Sequence, residues 1–253
     1  MRTLITFLLM LASAESAFSQ NVVATSADVS SVLEMFTSQG CSSCPPADRL
    51  LGDYARRDGV VALAYHVDYW DYIGWKDVYG TRQNTERQRA YGAALQSRSI
   101  YTPQMIINGQ REVVGSHKRA IEGAMQDTKL APQGEKTSIR LTHDGTTMQV
   151  YAEMVKPQRP RTGELVLILV TFRDEAITLV DNGENQGLEL VNTNMVRDWR
   201  VLGTVTEKPV EVNIPISLLQ GPEGEKVGYA ALLQTMTGEG KLGPIVAAAV
   251  LVS

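Results

Sequence analysis

Hydrophobic residues follow a helix-and-strand pattern through the first half of the chain. From Ser31 to Gln126, short apolar runs alternate with stretches in which apolar residues recur at helical spacing. The runs at 32–36 and 60–65 predict strands buried on both faces, as in the middle of a parallel sheet. Leu50, Leu51, Tyr54 and Ala55 recur at helical spacing and predict a helix that Asp58-Gly59 ends, and the stretch at 82–97 predicts a second helix.

A hairpin and a last helix complete this half. Asn108-Gly109 stands between two short apolar runs, which is typical of a tight hairpin turn, and Ser116 can cap a helix that follows. The resulting order is strand, helix, strand, helix, hairpin, helix. It predicts an α/β fold in which helices cover both faces of a small sheet.

The pattern changes after a polar linker at 131–135. Short apolar runs are then separated by Gly, Pro and Asn, and no convincing helical spacing is found. The predicted strands are 147–155, 164–172, 211–216, 228–235 and 245–252. Their number and spacing predict a β-rich unit, a β-sandwich of about 110 residues.

Composition and charge exclude some classes of protein. Of the 253 residues, 43% are hydrophobic and 21% are charged, which is typical of a globular chain. The formal net charge of -4 argues against nucleic acid as a partner. No stretch approaches the roughly 20 apolar residues of a membrane-spanning helix.

The N-terminus has the pattern of a secretory signal peptide. A short charged start is followed by an apolar run and small residues, with cleavage sites after Ala14 and after Ser19. The prediction is a signal peptide at 1–19 and a periplasmic or secreted protein in an oxidising compartment. The alternative is an N-terminal helix or a buried strand.

The two cysteines of the chain, Cys41 and Cys44, have C-x-x-C spacing between a predicted strand and a predicted helix. A helix N-terminus stabilises a thiolate, which is the attacking species in disulfide exchange. The alternative is a structural staple, which over so short a loop would stabilise the fold by only about 2 kcal/mol. Because Pro45 and Pro46 follow, we expect the helix to begin near Pro45, with Cys44 at its cap.

Three segments carry a resemblance to known proteins. A strand, Cys41-Ser42-Ser43-Cys44, a helix and Thr102-Pro103 before a hairpin together resemble the thioredoxin superfamily. More closely, the chain resembles exported thioredoxin-like bacterial proteins catalogued as a domain of unknown function. The segments that carry this resemblance are Glu34 to Asp48, His66 to Asp71 and Tyr101 to Met105.

The resemblance implies a thioredoxin-like domain at 28–130, and the strand pattern predicts that a β-sandwich-like domain at 135–253 follows it. It also implies roles for single residues. Cys41 would be the nucleophile, Cys44 would resolve the mixed disulfide, and a cis Pro103 would shape the substrate groove. The partners would be protein thiols or disulfides, and no cofactor is expected.

Aromatic residues are concentrated in one polar loop, and Tyr101 and Thr102 precede the proline. The loop follows a predicted parallel strand at the edge where open α/β sheets bind ligands. Trp70, Tyr101 and Thr102 are therefore candidate substrate-binding residues. The alternative is that the aromatic loop packs against the C-terminal half.

Two further residues have alternative roles. Glu34 lies inside the first predicted strand, where it could shuttle the proton of the resolving thiol or pair with a nearby Arg. His66 could join Cys41 and Cys44 in binding copper or zinc, which would make the protein a metal carrier. Thiol–disulfide exchange with proteins is the leading hypothesis, and its direction and the oligomeric state do not follow from the sequence.

Overall fold

A computed structural model describes residues 22–130, 136–155, 163–222, 225–237 and 239–252. The signal peptide predicted at 1–19 lies outside these ranges and stays a prediction. Within the described ranges, no helix has the length and apolar character needed to cross a membrane.

The elements of the first half follow the predicted order, after one extra N-terminal strand. They are β1 (Val22–Thr25), β2 (Ser31–Thr37), α1 (Pro45–Ala55), β3 (Val60–His66), α2 (Arg82–Ala94), β4 (Gln104–Ile107), β5 (Arg111–Val114) and α3 (Lys118–Asp127). β2 runs parallel to β3 and antiparallel to β4, and β4 and β5 form the predicted hairpin. The last helix begins one residue later than expected, with His117 rather than Ser116 at its N-cap.

The second half contains seven strands in the described residues. They are β6 (Lys136–His143), β7 (Thr147–Val155), β8 (Glu164–Leu179), β9 (Glu189–Val205), β10 (Val210–Pro215), β11 (Val227–Met236) and β12 (Leu242–Leu251). β6 and β9 were not expected from the sequence, and β8 is longer than predicted. β9 is rich in polar residues, so its apolar pattern is weak, and it owes its place to pairing with β8 along its length.

The predicted fold class is wrong. The described structure is mostly β, with three helices and two large sheets, and lacks a clear α/β thioredoxin-like N-terminal domain followed by a separate sandwich. One eight-stranded sheet, in the order β12-β11-β8-β9-β3-β2-β4-β5, contains strands of both halves. β9 joins the halves, because Met195 pairs in parallel with Ala64 of β3 and Asn194 Nδ2 donates to Ala62 O at 2.8 Å. The boundaries predicted at 28–130 and 135–253 stay predictions.

Both faces of the eight-stranded sheet are buried. On one face, Leu33 and Met35 of β2 pack with apolar residues of α1 and α3. On the other face, Val32 and Phe36 share a core with Tyr91 of α2 and with apolar residues of β8, β11 and β12. A second sheet, in the order β1-β6-β7-β10, encloses another core against β8, β11 and β12.

Candidate functional site

The two cysteines form a disulfide at the junction of β2 and α1. The S–S distance is 2.09 Å and the Cα atoms are 5.4 Å apart. Cys44 is the N-cap residue of α1, with helical backbone angles (φ -81°, ψ -36°), and Pro45 is the first residue of the helix. The expected start of the helix at Pro45 is therefore confirmed. Cys44 stands at the positive end of the helix dipole.

The disulfide is buried although the turn that carries it is exposed. Cys41 is 1% exposed and Cys44 is fully buried, whereas Ser42 and Ser43 lie at the surface. A partner thiol can therefore reach Cys41 Sγ only after neighbouring groups move.

The segment Asp181–Gly187, at the tip of the hairpin of β8 and β9, packs against this turn, and we call it the tip segment. Asn185 Nδ2, which is buried, donates to Gln39 O at 2.8 Å and to Cys41 O at 3.0 Å. The Ser42 N–H donates to a carboxylate oxygen of Glu184 at 3.2 Å. A loop from the second half of the chain thus holds the backbone of the cysteine turn.

Gln39, two residues before Cys41, fastens the turn to the sheet. Its backbone N–H donates to Asp77 Oδ2 at 2.8 Å, and its side-chain amide donates to Thr178 of β8 and Asn192 of β9, both at 3.1 Å. Trp75 Nε1 donates to Gln39 Oε1 at 3.1 Å. No local pattern in the sequence predicted this role of Gln39, because its hydrogen-bond partners are distant along the chain.

The Thr102–Pro103 peptide bond is cis, and it lies beside the disulfide. Ser43 Oγ is 3.4 Å from Cys41 Sγ and donates to Thr102 O at 3.5 Å. Pro103 approaches the first turn of α1, because a Cβ at Gly115 would lie 3.2 Å from Pro103 Cβ and 3.3 Å from Ala47 Cβ.

The other predicted substrate-binding residues adjoin this bond. Trp70 Nε1 donates to Thr102 Oγ1 at 2.7 Å, and a Cβ at Gly40 would lie 3.3 Å from Trp70 Cβ. Trp70 is therefore close to both the cysteine turn and the cis bond. The Tyr101 carbonyl accepts from Gln88 at 2.8 Å, and burial followed by the charge of Glu112 raises the pKa of the Tyr101 phenol to about 12.

The aromatic loop contacts both the cysteine turn and the second half of the chain. Tyr72 is 81% exposed. Its ring stacks on the ring of Trp70, with the two centroids 6.5 Å apart. Trp75 instead lies against the tip segment, where a Cβ at Gly183 would be 3.2 Å from Trp75 Cβ. Trp70 thus lies beside the cysteine turn, as in the first predicted alternative, whereas Trp75 contacts the C-terminal half, as in the second.

Glu34 is bound away from the cysteine turn. Arg87 Nε donates to Glu34 Oε1 at 2.8 Å, and the Tyr91 hydroxyl forms a very short hydrogen bond to Glu34 Oε2. Both side chains of the ion pair are buried, and Gln234 of β11 also bonds Arg87 and Tyr91. The alternative of a salt bridge to an Arg is the one found, and a role for Glu34 in proton transfer stays a prediction.

His66 is buried at the end of β3 and forms an ion pair with Asp77. The Nδ1–Oδ2 distance is 2.7 Å, and Nε2 has no hydrogen-bond partner. Burial lowers the pKa of His66, but the charge and hydrogen bond of Asp77 together with the charge of Asp48 raise this pKa above its usual value. Among the described residues, no three His, Cys, Asp or Glu side chains are grouped to hold a metal ion, so the set Cys41, Cys44 and His66 is not assembled as a site.

Asp48 is a buried acid that the sequence analysis missed. It lies in the first turns of α1, its Oδ1 accepts from Thr37 Oγ1 at 2.8 Å, and its Oδ2 has no partner. Burial raises the pKa of this carboxyl to about 6, although the nearby charge of His66 opposes the rise. The sequence feature that could have identified Asp48 is its position four residues after Cys44, because residues at this spacing share a helix face.

Comparisons with known proteins give one matching family and two similar solved structures. Residues 32–234 match the model of a family described as a protein of unknown function (DUF1223). Protein AGR_C_4864 from Agrobacterium tumefaciens has a crystal structure that is similar, with 33% identity, a TM-score of 0.74, and 88% of this chain and 94% of that chain covered. HBP35 of Porphyromonas gingivalis shares the fold at 14% identity and a TM-score of 0.59, over 88% of this chain and 75% of that chain.

No curated protein matches the chain with significant similarity. The family model covers most of the chain, including the cysteine turn, the cis bond and the tip segment. The chain therefore belongs to the family described as a protein of unknown function (DUF1223).

Proposed function

We propose that this protein is an exported thiol–disulfide oxidoreductase that exchanges disulfides with protein thiols through Cys41 and Cys44. The observation that carries the proposal is a short-range disulfide at a helix N-terminus, next to a cis Thr102–Pro103 bond. This local arrangement is the one implied by the resemblance to the thioredoxin superfamily. The signal peptide predicted at 1–19 supports a periplasmic or secreted location, where such exchange takes place.

Exchange begins when a partner thiolate attacks Cys41 Sγ. The Cys41–Cys44 bond breaks, and Cys44 leaves as a thiolate that is stabilised by the positive end of α1 and then takes up a proton. A second partner thiolate attacks the partner sulfur of the mixed disulfide and releases Cys41 as a thiolate. The partner loses two electrons, the cysteine pair gains two, and the reverse steps carry electrons the other way.

The groups around the turn suit this chemistry. Ser43 Oγ is close enough to Cys41 Sγ to donate a hydrogen bond to a thiolate there. The exposed ring of Tyr72, stacked on Trp70, offers an apolar surface beside the turn for a partner chain. Trp70 and Thr102 would thereby position the partner near the cis bond, and these roles rest on the proposal.

A structural staple is the competing explanation, and a reduction potential separates the two. An oxidoreductase pair is expected to equilibrate with glutathione at a potential of roughly -270 to -120 mV. A staple that resists reduction would lie below about -300 mV. The measurement is the ratio of thiol to disulfide in the mature protein across a series of glutathione buffers.

Two cysteine variants test the assignment of roles. Cys41→Ser should abolish exchange with a dithiol protein while changing the free energy of unfolding by no more than about 2 kcal/mol. Cys44→Ala should accumulate a mixed disulfide between Cys41 and the partner, detected by mass spectrometry. Ser42→Ala, in the same exposed turn, is the matched control and should exchange normally. An inert wild-type pair, or no mixed disulfide with Cys44→Ala, would refute the proposed function.

A further inference from the structure

Two buried polar atoms near the disulfide have no hydrogen-bond partner. They are Asp48 Oδ2 and His66 Nε2, and both residues are almost completely buried. An unpartnered buried polar atom is costly, so its presence beside a reactive group calls for a functional explanation. The opposing charges of Asp48 and His66 influence each other across this space.

The backbone brings the two side chains together from different elements. Thr37 at the end of β2 is paired in register with His66 at the end of β3, and Thr37 Oγ1 also holds Asp48 Oδ1 at 2.8 Å. Asp77 then fixes the imidazole from the other side through Nδ1. His66 is thereby held with Nε2 free and Nδ1 occupied.

Asp48 also lies on the same helix face as Cys44. Cys44 has helical backbone angles, and the Asp48 N–H donates to the Cys44 carbonyl at 3.0 Å, as in a regular helical turn. Residues four apart on a helix have neighbouring side chains. Both residues are buried, so the Asp48 carboxyl and the Cys44 sulfur are neighbours on the buried face of α1.

We propose that Asp48 takes up the proton of the Cys44 thiol when Cys44 resolves a mixed disulfide, and that His66, held by Asp77, positions and tunes Asp48. This inference rests on the proposed function of the cysteine pair. In the resolving step the S–H bond of Cys44 breaks, its proton passes to Asp48, and the Cys44 thiolate attacks Cys41 Sγ. The partner leaves as a thiolate. In the reverse step, protonated Asp48 returns the proton to the departing Cys44.

The charges around Asp48 set the pH range of this transfer. His66 and Asp77 face it from the sheet and the aromatic loop, Arg49 is its neighbour on α1, and Glu189 of β9 lines the same small pocket. Burial raises the pKa of Asp48 to about 6, so it can accept and donate a proton near neutral pH. His66 opposes this rise, so its charge favours the ionised, proton-accepting form.

The test measures release of glutathione from a mixed disulfide on Cys41, followed from pH 5 to pH 9. Wild type should show a rate that rises through the titration of the acid and then levels. Asp48→Asn keeps the shape of the side chain and should slow release at pH 7 by at least about 100-fold, with recovery at alkaline pH as solvent deprotonates Cys44. Asp53→Asn, on the exposed side of α1, is the control and should behave as wild type.

A second pair of variants separates proton transfer from folding. His66→Gln removes the charge that lowers the pKa of Asp48, and Thr37→Val removes a hydrogen bond that does the same. Each should move the midpoint of the pH profile upwards. Melting temperatures of all variants, measured in parallel, identify any that do not fold.

The outcomes distinguish the two proposals. If wild type releases glutathione and Asp48→Asn does so at the same rate and with the same pH profile, the role of Asp48 is overturned. If Asp48→Asn does not fold, unchanged midpoints in His66→Gln and Thr37→Val overturn it. A shifted profile in Glu34→Gln with a normal one in Asp48→Asn would assign the proton to Glu34 instead. A wild-type pair that does not exchange at all refutes the proposed function itself.

Discussion

At the residue scale, two of the buried polar clusters in the described residues differ in how many of their polar atoms have hydrogen-bond partners. In the first, Glu34 and Arg87 are joined by Tyr91 and Gln234, and the carboxylate has partners on both oxygens. In the second, near the disulfide, Asp48 and His66 each retain an unpartnered atom. A hydrogen-bonded network stabilises a unique core, whereas a buried polar atom without a partner carries a free-energy cost that requires an explanation.

Removal of Arg87 should destabilise the fold strongly. Arg87→Met leaves the Glu34 carboxylate buried without its counter-charge, and we expect a loss of about 3–5 kcal/mol in the free energy of unfolding. The measurement is urea unfolding at pH 7. Arg82→Met removes an exposed ion pair with Glu86 on the same helix and should leave the free energy of unfolding almost unchanged. Equal losses for the two variants would contradict this account of the buried pair.

Ionisation of Asp48 should lower the free energy of unfolding as the pH rises. Its pKa is about 6 in the folded state, against about 3.9 in an unfolded chain. The folded state therefore binds the proton more tightly, and stability is lost as the pH rises from about 4 to above 6. Asp48→Asn does not titrate, so its stability relative to wild type should increase by about 2–3 kcal/mol between pH 4 and pH 7.5. Denaturant unfolding at both pH values measures this, and a constant difference would show that burial does not disfavour the ionised form.

At the element scale, the hairpin of β8 and β9 packs against the cysteine turn. Its tip segment lies against the cysteine turn through Glu184 and Asn185, while Thr178 and Asn192 in its strands hold Gln39. A Cβ at Gly52 would lie 3.1 Å from Thr193 Oγ1, so β9 also approaches α1 closely. This hairpin thus holds the backbone on both sides of Cys41.

Weakening the tip segment should speed reduction of the disulfide. Asn185→Ala removes two hydrogen bonds to the backbone of the cysteine turn, each worth about 1 kcal/mol. If opening of the tip limits access, the open population and the rate of reduction by dithiothreitol should rise roughly tenfold or more. Trp70 and Trp75 lie beside the turn and provide a fluorescence signal. Gln186→Ala, at the exposed residue next to Asn185, is the control. Equal rates of reduction for both variants and wild type would show that the tip segment does not limit access.

At the scale of the whole molecule, the two halves share a sheet and a core. Phe36 of β2 and Leu63 of β3 belong to the same buried cluster as Val170 of β8 and Leu232 of β11. A core shared in this way couples the stability of its strands.

We expect the two halves to unfold together. In native-state hydrogen exchange, peptides from β2 and β3 should open with the same free energy as peptides from β8 and β11. The measurement is exchange followed by mass spectrometry across a series of denaturant concentrations. Earlier opening of β2 and β3 as a separate unit would instead support an independent domain at 28–130.

The elements of the first half could be predicted because their signals are local. The helix at Pro45 follows from two prolines after a cysteine, and the hairpin at Asn108-Gly109 follows from the turn residues themselves. The proximity of the cysteine pair to Thr102-Pro103 was implied only by the resemblance to the thioredoxin superfamily. The cysteine pair itself and its place before α1 were apparent from local signals. Such features depend on residues close together along the chain.

Only the tertiary structure decided how these elements combine. β9 is polar enough to escape a strand prediction, yet it joins β3 and so makes one sheet of the two halves. The tip segment packs against the cysteine turn, and His66 lies near Asp48. Both contacts join residues that are far apart in sequence. The sequence by itself determined the cysteine site and the local elements around it, because helix caps and turns are short-range. Strand pairing, burial of the disulfide and the buried acid beside it required the fold, because they arise from long-range packing.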